Sequence, residues 1–214
     1  LGFRGVSRDA HRDPAARKVP GMESFEQLCK VALESEGFIV TGNVKFFVRR
    51  KTKKTSHDEF QEHGYEFDLV AARSNRLILG EAKSYLGSQG VNRQGFRGLA
   101  DETRRTSFER YKVLNDPTLR SEIAIRASER YGFRQSQVEW RLYVGKFANG
   151  HEGDVRAHLA AMDPPVRVVG LTEIVDALVG LAERRTYTDD PVIMTVKALA
   201  AAGRLNSVDS QANP

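Results

Sequence analysis

Apolar residues recur at Phe25, Leu28, Cys29, Ala32 and Leu33, the i, i+3, i+4, i+7, i+8 spacing of one helix face, and Gly37 supplies the stop. Phe38-Ile39-Val40 and residues 44–48 then read as β-strand, which places the basic run 49–54 at a strand end or in a loop. Phe67, Leu69 and Ala71 alternate with Asp68 and Val70, Arg73-Ser74-Asn75-Arg76 turns the chain, and Leu77-Ile78-Leu79 opens a return strand, so this stretch predicts a hairpin. Further on, charge-rich sequence with recurring apolar positions and no interior proline predicts helices over about 98–114 and 119–131. A strand over 138–147, a helix over 153–162 and a short strand over 166–169 follow. Thr172 is placed to cap a helix carrying Ile174, Val175, Leu178 and Leu181, and Asp190-Pro191 to begin another with Val192, Val196 and Leu199 in register. The predicted order is α-β-β-β-α-α-β-α-β-α-α, an α/β chain with a central mixed sheet flanked by helices.

Composition narrows the class of protein. Hydrophobic residues at 40% and charged residues at 29% supply a core without the charge excess that keeps chains disordered. Residues 1–20, arginine-rich with Pro14 and Pro20, read as a flexible basic arm, and 205–214 as a disordered tail. The stretch 21–204 between them reads as a single domain. No apolar run is long enough for a bilayer span and no signal-peptide centre is present, which predicts no membrane association and a cytoplasmic location. Cys29 has no second cysteine for a disulfide or thiolate cluster, and His57 and His63 stand without further ligands at zinc spacing. A net charge of +5 permits attraction to a polyanion.

The chemistry concentrates in one stretch. Twelve residues separate Asp68 from Glu81-Ala82-Lys83. Strand parity puts Glu81 and Lys83 on one face, and Asp68 arrives from the neighbouring strand of the hairpin. Two carboxylates offer hard oxygen ligands to Mg2+, with Mn2+ as a substitute, and a lysine ammonium beside them stabilises charge that develops when a phosphodiester is attacked. Otherwise Asp68 and Lys83 would form a cross-strand ion pair with Glu81 on a solvated face.

An aspartate, a turn-length spacer, then Glu-X-Lys at a strand end resembles the PD-(D/E)XK nuclease superfamily, with Phe67 standing in place of the nominal proline. Gly21 and Phe25-Glu26 at the opening of the first helix resemble the Mrr-type and junction-resolvase branches. The resemblance covers roughly 21–85 and implies a restriction-endonuclease-like αβββαβ core followed by extra C-terminal helices. It implies Glu26, Asp68, Glu81 and Lys83 as catalytic residues, with Glu26 as a third metal-site carboxylate beside Asp68 and Glu81.

Arg49, Arg50, Lys51, Lys53 and Lys54, and the polar stretch containing Gln89, Asn92, Arg93 and Arg97, are the candidate nucleic-acid contacts. The expected function is a Mg2+-dependent endonuclease acting on DNA, for which cutting both strands suits a homodimer. The alternatives are a structure-specific nuclease or junction resolvase, an RNA-acting nuclease, and a noncatalytic DNA-binding module that keeps the fold.

Overall fold

A computed structural model describes residues 22–51, 60–99, 108–184 and 186–205. The basic arm, Gly21, Lys53, Lys54, His57 and the tail from 206 onward lie outside the described residues.

Helix α1 (Ser24–Ser35) buries Phe25, Cys29, Ala32 and Leu33, the face that the periodicity marks, and Gly37 just past its end takes the left-handed conformation, φ 85°. The two apolar pieces that follow form one strand, β1 (Ile39–Lys51), whose last residues are Arg49-Arg50-Lys51. Strands β2 (Phe60–Arg73) and β3 (Arg76–Lys83) make the expected hairpin, closed by Arg73 opposite Arg76. Helices α2 (Lys112–Asn115) and α3 (Pro117–Tyr131) lead to β4 (Val138–Val144), α4 (Glu152–Ala160) to β5 (Val166–Gly170), and α5 (Leu171–Ala182) and α6 (Pro191–Ala201) close the described chain.

Sheet order is β1-β2-β3-β4-β5, antiparallel through β3 and parallel from β3 to β5. The central strand β3 is covered on both sides, so it reads as the uninterrupted apolar run Leu77-Ile78-Leu79, each 0% exposed. Leu77 and Leu79 join a core with residues of α3 and α4, whereas Ile78 faces a second core with α1, α5 and α6. Among the described residues no helix is long and apolar enough to cross a membrane.

The structure corrects the sequence reading at four places. Thr172 does not cap α5: the strand runs straight into the helix, Gly170 is the cap residue, and the Glu173 carboxylate accepts its N–H at 2.8 Å. The strand expected over 138–147 ends at Val144, where Gly145 passes so close to the Ser84 backbone that a Cβ would lie 2.3 Å from Ser84 O. Of the helix expected over 98–114, residues 100–107 lie outside the described residues; residues 108–109 are helical, the helix breaks at Arg110-Tyr111 before α2, and Gly98 takes a positive φ of 79°.

The fourth correction concerns strand parity. Phe67 packs in the first core and Leu69 in the second, although strict alternation puts both on one face. On β1 Val40 faces the second core and Val44 the first. Both strands therefore reverse at the same level, where pairing steps from Gly42–Leu69 to Val44–Phe67 across Asn43 and Asp68. Asn43 there has φ 55°, a left-handed conformation that asparagine tolerates better than β-branched residues.

Candidate active site

The reversal sets Asp68 apart from the ladder and toward β3, where its Oδ2 accepts the Ala82 N–H at 2.6 Å. β3 carries Glu81 and Lys83 two residues apart, and the ammonium Nζ lies 3.4 Å from Glu81 Oε2 and 3.8 Å from Asp68 Oδ2. The three side chains meet at the carboxyl end of β3, where the neighbouring β4 also ends, the end of parallel strands at which open α/β sheets leave a crevice for ligands. A cleft of about 750 Å³ opens nearby between the start of α1 and the Ser84–Ser88 loop, lined by Met22, Phe25, Tyr85 and Leu86 among others.

Glu81 is buried, with 6% of its surface exposed. Burial pushes its carboxyl above the ordinary range; Lys83 pulls it down and Asp68 adds to the rise. For Lys83 burial works against the charged form, but Glu81 and Asp68 outweigh it and hold the ammonium's proton more tightly than usual. Two carboxylates thus share one cation in a poorly solvated place. Tyr111, buried under the site, has its phenol pushed up by burial, by hydrogen bonding with Tyr85 and by the charge of Glu81. Tyr85 itself adopts φ 43°, two residues after the lysine.

Glu26 sits in the first turn of α1, where its Oε2 accepts the Glu23 N–H at 2.9 Å as half of a capping box. Burial raises its carboxyl, the Glu23 N–H lowers it, and the charges of Asp68 and Lys83 reach it with opposite effects. Among the described residues no group of three or more His, Cys, Asp and Glu side chains is gathered to hold a metal. Glu26 is therefore a neighbour of the Asp68–Glu81 pair held by its helix cap.

The candidate nucleic-acid contacts separate into two places. Arg49, Arg50, Lys51 and Arg97 line one groove along the β1–β2 hairpin. Arg50 is committed there to Asp116 at 2.7 Å, the residue that caps α3 through the Leu119 N–H. Arg93 lies elsewhere, tied to Asp154 of α4 at 3.0 Å and to His151 through its backbone N–H. Gln89 is exposed and Asn92 half-buried in the same loop. Sequence reading missed Phe60, Tyr65, Phe108 and Lys112, which complete the groove. The alternation of β2 could have indicated Tyr65, but nothing local pairs these rings with cations from other elements.

No family model and no curated protein matches the chain. One solved structure, a protein of unknown function designated AF1548, aligns over 84% of this chain and 77% of its own at 13% identity and a TM-score of 0.36.

Proposed function

We propose that the chain is a Mg2+-dependent endonuclease that hydrolyses DNA phosphodiester bonds in the cytoplasm, a restriction-endonuclease-like member of the PD-(D/E)XK superfamily. The reading rests on one observation: Asp68 and Glu81, from different strands, converge on Lys83 at 3.8 and 3.4 Å. The donor set fits a hard cation, since two carboxylates and waters are a usual magnesium environment and the charge of buried Glu81 is not fully compensated by one ammonium. Magnesium held there would neutralise charge on the scissile phosphate and acidify a water.

Asp68 and Glu81 are the residues that would hold the cation. Asp68 is oriented for this by the Ala82 N–H, a backbone donor fixed by the sheet. Glu26 keeps Oε2 in its helix cap, which leaves Oε1 as the oxygen through which it would join. In the metal-free protein Glu81 and Asp68 hold the proton on Lys83, and the role proposed for its ammonium is to stabilise charge developing on the phosphate.

Incubating the purified protein with plasmid DNA in magnesium or in chelator tests the proposal. Cleavage is expected in magnesium alone, and Asp68→Ala or Glu81→Ala should abolish it with the far-UV circular dichroism unchanged. Lys83→Ala should slow single-turnover cleavage by about two orders of magnitude while DNA binding persists, in line with loss of one transition-state donor. Substantial cutting by either folded carboxylate variant would sink the assignment.

A further inference from the structure

The β1–β2 hairpin reaches past β3: residues 60–67 of β2 pair with β1 alone, and the start of α3 lies beneath them. Between hairpin and helix runs a groove of about 1050 Å³, at the upper end of the roughly 300–1,000 Å³ of ordinary small-molecule pockets. Three aromatic rings stand along it, each with a cation over its face. Arg49 lies 5.0 Å from the centre of Phe60, Lys112 6.0 Å from Tyr65 and Arg97 5.4 Å from Phe108. Among the described residues five lysines and arginines line the groove against three carboxylates, and two of those are already engaged, Asp116 by Arg50 at 2.7 Å and Glu109 by Lys112 at 3.8 Å. Phe60 keeps 52% of its surface exposed although it is a large apolar ring.

We propose that this groove binds an unpaired single strand of nucleic acid, with bases stacked on Phe60, Tyr65 and Phe108 and phosphates on Arg49, Arg97 and Lys112. An intact duplex offers phosphates to the cations but hides its base faces, so no base of it stacks on the rings. A single strand uses both, because every base has a π face and successive phosphates follow the cations. Tyr65 precedes Asp68 by three residues, about 10 Å along a strand, so a strand lying in the groove leads to the catalytic carboxylates. The inference deepens the nuclease reading and rests on it for that course; the binding itself is independent of cleavage.

Fluorescence anisotropy in chelator, with one labelled oligonucleotide presented as a single strand and as a blunt duplex, tests it without cutting. Wild-type protein should bind the single strand about tenfold more tightly or better. Phe60→Ala with Phe108→Ala should weaken single-strand binding by about tenfold or more and bring the two affinities together, while Phe60→Tyr with Phe108→Tyr keeps the preference. Photo-crosslinking of oligothymidine to the wild-type protein should label peptides containing Phe60, Tyr65 or Phe108, a readout that needs no variant to fold. Equal wild-type affinities, an unaffected folded double alanine variant, or crosslinks elsewhere would each overturn the proposal. A protein that prefers single strands yet never cuts in magnesium disproves the nuclease reading alone, and one that cuts without the preference disproves the groove alone.

Discussion

Glu81 is a buried carboxylate whose neighbours are one ammonium and another carboxylate. Its folded-state pKa is raised, mainly by burial, so ionised Glu81 opposes folding. Below the unfolded glutamate pKa of about 4.3 the group is neutral in both states and the penalty vanishes; above the raised folded value it is charged in both and the penalty is complete. Glu81→Gln should therefore stabilise the metal-free protein at neutral pH, on the order of 1–3 kcal/mol, and the gain should fade as pH falls below the ordinary carboxylate range. Thermal unfolding across pH measures this. Lys83 keeps Asp68 at 3.8 Å in that variant, so the lysine is not left without a counter-charge. Magnesium should raise the melting temperature of the wild type and leave Glu81→Gln unmoved, because a ligand stabilises only the state that binds it.

Among elements, the paired reversal of β1 and β2 decides where Asp68 points. Asn43 at φ 55° allows it, and a β-branched residue in that conformation is strained. Asn43→Val should cost about 1–3 kcal/mol in urea unfolding and lower magnesium-dependent cleavage as Asp68 loses its seat, whereas Asn43→Gly should keep both. Equal stability of the valine and glycine variants would show that the reversal does not depend on this residue. The hairpin itself was legible, since two apolar runs and a polar turn at Ser74-Asn75 specify it locally. The reversal was not, because a period of two assumes unbroken pairing. The start of α5 was missed for a similar reason: Thr172 is a good cap by residue type, but the path of β5 delivers Gly170 to that position.

At the scale of the whole molecule, two neighbouring arginines of β1 line the same groove but differ in what holds them. Arg49 stacks on exposed Phe60, whereas Arg50 joins β1 to the cap of α3 through Asp116. Burial raises the Asp116 carboxyl, but the Leu119 N–H and Arg50 prevail and hold it below its ordinary range. Arg49→Ala should thus reduce the slope of log affinity against log salt by about 0.7 for one lost phosphate contact to a single strand. Arg50→Ala should instead show chiefly as lost stability, about 1 kcal/mol. Binding titrations across salt, paired with urea unfolding, separate the two, and identical behaviour of the two variants would show the run to be one uniform surface. The sequence by itself determined the order of elements, the α/β class and the candidacy of Asp68, Glu81 and Lys83, because hydrophobic period, turn residues and a short charged motif are local properties of the chain. Tertiary structure alone decided that Glu26 stays in its helix cap, that Arg50 and Arg93 are tied to acidic partners, and that rings and cations from β1, β2 and the segment before α3 line one groove. Those outcomes depend on which distant residues packing brings into contact, and no local pattern encodes them.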